Sequence, residues 1–203
     1  VVTNSPEDMV EYFEVSNNPS NPDAGTRKVP FTRELYIDRA DFAEVPPPKF
    51  FRMKPDGEVR LMGAYIMKCD EVVKDANGEV CELLCSVDLE AGNGNPADGR
   101  KVKGTIHWVP APYATKAEVR LYENIVDEEK GVYNKEDGSL NLNPNSLTVL
   151  KDCYLEPSFD GVKAYDSFQF VRNGYFCVDA KDSKPDALVF NRIVSLKSSF
   201  KIS

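Results

Sequence analysis

Residues 58–88 read EVRLMGAYIMKCDEVVKDANGEVCELLCSVD, and the fold turns on how this stretch divides. Apolar side chains recur near every second position on both sides of Asn77-Gly78. A period of two puts alternate residues on opposite faces of a strand. Asn-Gly supplies the two positive-φ positions that a tight hairpin turn wants. The stretch therefore predicts two antiparallel strands joined at Asn77-Gly78. The same alternation marks strands at 29–37, 104–109, 147–154, 167–179 and 188–196. Helix signals are short: SPEDMVEYF at 5–13 offers Ser5 as a cap, and DRADF at 38–42 is long enough for one turn. KAEVRLYENIV at 116–126 fits either period, with strand preferred over 117–122. A mainly β protein is expected.

A chain of 203 residues, 41% hydrophobic and 29% charged, is an ordered protein rather than a disordered or collagenous one. Folded, a chain this long buries roughly 70% of its unfolded surface. No stretch approaches the roughly 18 uninterrupted apolar residues of a membrane helix. The start VVTNSPEDMVEYF has neither a basic leader nor an apolar signal core. A soluble, cytoplasmic chain with no membrane partner is expected, and the Val1 start fits a processed chain, a trimmed one or a domain cut from something longer. Loops rich in Gly, Pro, Asn or Asp lie at 16–25, 45–48, 90–99 and 127–146. They cut the chain into blocks too short for one large sandwich. The loop at 90–99 divides it into halves of about a hundred residues, each enough for a small barrel.

Twenty-five basic against 33 acidic residues give a net charge of -8, which argues against indiscriminate coating of nucleic acid. The charge is unevenly spread. Residues 123–137 hold six acids and two lysines, whereas 26–33 hold three bases and no acid. The five cysteines, Cys69, Cys81, Cys85, Cys153 and Cys177, are odd in number and lie in strand-like runs, so buried reduced thiols are expected rather than disulfides. Cys81 and Cys85 fall on one strand face, but without a CxxC or a second histidine they make a poor zinc site.

His107, in TIHWV, is the only histidine, so most acid–base and triad mechanisms lack a second player. GxSxG, P-loop, GxGxxG and HExxH patterns are all absent. The isolated chain is expected to be non-catalytic. Arginines beside aromatics say more: KFFR at 49–52, EVRL at 58–61, GRKVK at 99–103 and FQFVRNGYF at 168–176. Single-stranded RNA is read by stacking splayed bases on aromatic or guanidinium planes and bonding their edges to Arg, Gln or Asn. On a regular strand Gln169 and Val171 share one face, with Phe168, Phe170 and Arg172 on the other, unless a bulge re-aims a side chain. An arginine at a strand edge is, by itself, usually a surface cation.

Six blocks, in order, carry a resemblance: VPFTRELYIDRADF, EVRLMGAYIMKCDEVVKDANGEV, DGRKVKGTIHWV, AEVRLYE, FQFVRNGYFCVD and VFNRIVSLKSSF. Together they resemble the C-terminal anticodon-binding region of glutaminyl-tRNA synthetases. The resemblance implies two consecutive small antiparallel β-barrels, related to a ribosomal 5S-RNA-binding protein. They would occupy 1–103 and 104–203, with the final strands free to return to the first barrel. It implies a monomer whose partners are the anticodon loop of tRNA(Gln) and an N-terminal catalytic domain of the same chain. ATP with Mg would act in that domain, since HIGH-type and KMSKS-type motifs are absent from these residues.

By motif position, the resemblance assigns Arg60 to the first anticodon base, Arg52 to the third, and Gln169 with Arg172 to the middle one. Lys49, Arg100, Lys101 and Lys103 are assigned to RNA backbone, with structural packing the alternative for Arg100, Lys101 and Lys103. Met62 stands where the family pattern has a second arginine, and Phe51 where a lysine can occur, which offers a stacking surface in place of a phosphate contact. The acidic stretch 123–146 diverges most. Two rivals remain at this level: the equivalent region of a glutamyl-tRNA synthetase, and a β-barrel protein-interaction module.

Overall fold

The hairpin read from residues 58–88 forms one side of a four-stranded sheet. The computed structural model describes residues 1–196, and no α-helix occurs among them. Eight strands build a first unit: β1 Val10–Ser16, β2 Thr26–Thr32, β3 Leu35–Ile37, β4 Glu58–Leu61, β5 Ile66–Lys74, β6 Val80–Val87, β7 Thr105–Ile106 and β8 Trp108–Pro110. They pair as β1-β2, β3-β8 and β6-β5-β4-β7. Five more strands build a second unit: β9 Thr115–Tyr122, β10 Leu147–Leu155, β11 Ser167–Phe170, β12 Gly174–Val178 and β13 Leu188–Ser195. Their order is β10-β9-β13-β12-β11. Backbone pairing does not run full circle in either unit among the described residues. Each unit also carries one parallel pair, β4 with β7 and β13 with β9, against the expected all-antiparallel arrangement. Parallel neighbours need a long connection, and a hairpin plus the 90–99 loop supplies one between β4 and β7.

The hairpin turn differs from the expected one. Only Gly78 has a positive φ, at 83°, and Asn77 does not. The Gly78 N–H donates to Asp75 O, and the Asp75 carboxylate accepts from the N–H groups of Asn77 and Glu79. This is a turn closed by one left-handed glycine, the common longer hairpin loop. A register shift follows between Val73 and Lys74, leaving Cys81 opposite no residue. Cys81 is consequently exposed while Cys85 is buried, so the two do not share a face. Cys85 stands instead directly opposite Cys69, both buried, and burial pushes the Cys85 thiol up to about 12.

Other expectations fall to tertiary pairing. Residues 10–13 are strand, not helix, because β1 lies in register against β2 from Val10↔Thr32 to Ser16↔Thr26. Ser5 is buried and donates to Val2 O rather than capping a helix. The turn at 38–42 forms as a 3-10 turn over Arg39–Asp41. The strand expected at 104–109 breaks at His107, so β7 pairs with β4 and β8 with β3. The run at 167–179 is a hairpin, with Arg172 in its turn at φ 69° rather than on a strand face.

Compact folding groups Val1–Ala114 and Glu156–Ser158 in the first unit, and Thr115–Leu155 with the residues from Phe159 in the second. The first unit therefore extends past position 103, because β7 and β8 pair inside it. The last described strand, β13, pairs with β12 and β9 in the second unit. A return of the terminal strands beyond it, including the end of the VFNRIVSLKSSF block, lies outside the described residues.

The first core is organised around Phe31, fully buried, which meets Phe13, Tyr65 and Trp108 edge-on at 5.1–5.9 Å between ring centres. The buried Trp108 N–H donates to Met62 O at 3.0 Å, satisfying its one polar atom. Phe190 plays the same part in the second unit, packed among Phe159, Phe168 and Phe170. Each fully buried side chain of this size contributes about 1.5–3 kcal/mol. These cores fix β4, which carries Arg60, and β11, which carries Gln169.

Candidate nucleic-acid interface

In the first unit, Arg60 lies on β4 with its backbone N–H donating to Gly104 O at 2.7 Å. Its guanidinium reaches the loop after β6, donating to Asn93 O and Asn95 Oδ1, both at 3.4 Å. Among the described residues it forms no ion pair, so its charge is met only by neutral oxygens. A guanidinium held this loosely can exchange both contacts for an acceptor on a ligand.

Arg52 is held differently. Its Nη1 donates to Ala40 O at 3.1 Å and lies 3.1 Å from a carboxylate oxygen of Asp41. The Asp41 side chain is only 1% exposed, whereas that of Arg52 is 41% exposed. One edge of the guanidinium thus neutralises a buried carboxylate, and Nε and Nη2 make no hydrogen bond among the described residues. The preceding Phe51 is exposed, with the Lys103 ammonium 5.5 Å from its ring centre. Gly104 binds these pieces together: a Cβ there would come within 2.3 Å of Phe51 O. Phe51, Lys103 and Arg60 therefore adjoin through one glycine that only a bare backbone fits.

Arg100 is enclosed by acids. Its Nε donates to Glu58, Nη1 to Asp98 and Nη2 to Asp88, at 3.0, 2.9 and 2.6 Å for the shortest contacts. These bonds raise the Arg100 pKa, Glu58 contributing most, and tie both ends of the 88–100 loop to β4. Lys49, at φ 65°, Lys101 and Lys103 are exposed.

In the second unit Gln169 is exposed on β11, opposite Tyr175 of β12. Arg172, half-buried, sits in the connecting turn. Sequence reasoning thus found the basic and amide groups, but it missed the acids that position them. Asp41, Glu58, Asp88 and Asp98 carry no local signal, being four among 33.

Two family models described as the anti-codon binding domain of class I tRNA synthetases (E and Q) match residues 1–88 and 105–179. The chain belongs to this family. A glutamine–tRNA ligase of Clostridium kluyveri is 51% identical over 203 residues, covering 100% of this chain and 36% of the relative. One from Clostridium perfringens is 52% identical over 206 residues, with the same coverage. One from Stutzerimonas stutzeri is 50% identical over 202 residues, covering 98% of this chain and 36% of the relative. The chain spans about a third of the length of these relatives. All three carry the glutamine name, which is the family member the six blocks resemble. In this family setting, the exposed Arg and Gln side chains lie on a scaffold that the family models describe as anticodon-binding.

Proposed function

We propose that the chain is the anticodon-reading part of a glutamine–tRNA ligase, a cytoplasmic monomer that joins glutamine to tRNA(Gln) with ATP. Arg60 carries this reading: a strand-borne guanidinium with no ion pair among the described residues, its backbone bonded to the glycine that follows Lys103 and abuts Phe51. Arg60 reads the first anticodon base, Arg52 the third, and Gln169 with Arg172 the middle one. Arg52 does so through the edge turned away from Asp41, a geometry that holds it ready before the RNA arrives. Lys49, Lys101 and Lys103 hold phosphates. Arg100, its donors engaged by three carboxylates, shapes the loop that receives the Arg60 guanidinium.

Selection follows from unpaired donors: a pocket built for one base edge leaves buried hydrogen-bonding groups unsatisfied with another. A good bidentate contact discriminates by about 1–3 kcal/mol, by analogy with duplex readout. ATP with Mg acts in the catalytic portion of the parent, with which this chain partners. The described residues do not fit it, since they have neither a glycine-rich phosphate loop nor an α-helix to follow one.

Binding to two anticodon stem-loops tests the reading, one with the glutamine anticodon CUG and one with its middle base changed. A preference of about tenfold or more, equivalent to about 1.4 kcal/mol, is expected. Equal binding to both would remove base reading from these residues.

A further inference from the structure

The outer face of the second unit carries a row in which Gln169 is joined by two residues that the base assignments do not use. Gln169 of β11 stands opposite Tyr175 of β12, which in turn stands opposite Val194 of β13. Tyr175 is 43% exposed and Val194 50%. The Val178 N–H and C=O bond to Asp166 and Tyr165, so alternation along the ladder makes Gln169–Tyr175 a non-hydrogen-bonded pair. Such pairs bring their side chains closest, with Cα atoms about 4.5 Å apart.

The face beneath is fixed. Phe176 and Phe170, flanking this pair on the inner side, stack at 4.4 Å with their rings 17° apart. Gly174, at φ 148°, has no room for a Cβ, which would come within 2.5 Å of Val194 O. An aromatic ring with no part in the core is thus held on a rigid strand, alongside a carboxamide that can donate and accept at once. An unstacked nucleobase matches both groups, offering a π-face to the ring and a polar edge to the amide.

We propose that Tyr175 is the stacking platform for the base whose edge Gln169 reads. The inference rests on the anticodon reading above and adds to it a second recognition element, blind to base identity. Stacking holds the base out of the loop; Gln169 then distinguishes it. The aromatic ring, rather than the hydroxyl, does this work.

The test measures binding of the wild-type chain, Tyr175→Phe and Tyr175→Leu to two stem-loops, one with the glutamine anticodon and one abasic at its middle position. Thermal melting of each variant checks folding, which an exposed side chain leaves unchanged. Tyr175→Leu is expected to weaken binding to the intact loop roughly 5- to 100-fold, as loss of one stacked base does. Tyr175→Phe is expected to stay within about 2-fold, and the abasic loop to bind wild type and Tyr175→Leu alike. Unchanged affinity of Tyr175→Leu for the intact loop, or equal losses on both loops, overturns the platform. A wild-type chain that binds the intact and abasic loops equally overturns the anticodon reading itself, and the platform with it.

Discussion

The Arg52 guanidinium stands 3.1 Å from the carboxylate of Asp41, one of the most deeply buried charged side chains described. The cation assigned to the third base is therefore also the partner of an internal anion. Removing Arg52 takes the guanidinium away from a carboxylate that burial keeps out of water. Arg52→Ala is expected to destabilise the chain by about 3 kcal/mol, near the low end for broken buried pairs because Arg52 is itself partly exposed. Asp41→Asn in the same background should restore part of that loss. Urea unfolding of the single and double variants checks both, and a loss under about 1 kcal/mol in Arg52→Ala would mean that water reaches Asp41.

Arg60 and Arg100 differ in the opposite sense. Arg60→Ala is expected to leave stability within about 0.5 kcal/mol, as surface changes do, and to weaken the cognate stem-loop more than an altered one. Arg100→Ala leaves Glu58, Asp88 and Asp98 facing one another. It should lower the melting temperature more at about 0.01 M than at about 1 M salt, where repulsion is screened within a few ångströms. Melting curves at the two ionic strengths separate the roles; a salt-independent loss would argue against the charge cluster.

Glu156 ties a short segment to the first unit. Both its oxygens accept from Arg27, at 2.7 and 3.0 Å, and His107 Nε2 lies 3.2 Å away. Burial alone would raise this carboxyl, but the hydrogen bonds from His107 and Arg27 and the Arg27 charge outweigh it, lowering it from 4.5 to about 2. A carboxyl depressed on folding stabilises the protein above its unfolded value, and that stability is lost as pH falls from about 4.5 toward 2. The contribution is on the order of 3 kcal/mol at neutral pH. Glu156→Gln should be less stable at neutral pH, with the gap closing below pH about 3. Denaturation midpoints across this range test it; a constant gap would assign the loss to packing.

Gly104 has an ordinary φ but no room. Gly104→Ala forces Phe51 and β4 apart and disturbs the hydrogen bond from Arg60. A loss of about 1–3 kcal/mol is expected, as for other overpacked sites, with weaker binding to both cognate and altered stem-loops. Retention of full affinity would show that the Phe51–Lys103–Arg60 junction is not needed for RNA.

Legibility in the sequence followed the range of the interaction responsible. Period-two alternation and local turn residues locate most strands of both units, including β9 where a helix was the alternative, but they merge β2 with β3, β7 with β8 and β11 with β12 into single runs. Six family blocks disclosed what the scaffold is for. Val10–Phe13 were misread because nothing in SPEDMVEYF shows that β2 will lie beside it. The same applies to Cys81, turned outward by a register shift that depends on its partner strand. Arg172 looked like a strand residue because a hairpin turn without Pro, and with glycine only after it, leaves a weak local signature.

By itself, then, the sequence determined a mainly β chain of the anticodon-binding family and named the cations and the amide on its surface. Only the tertiary structure decided what each cation does. Arg52, Arg60 and Arg100 are chemically identical, and they diverge because folding sets one against a buried carboxylate, one against neutral oxygens and one among three acids. Those partners lie up to 42 residues away along the chain. Electrostatics and desolvation depend on distance in space, which local composition does not encode.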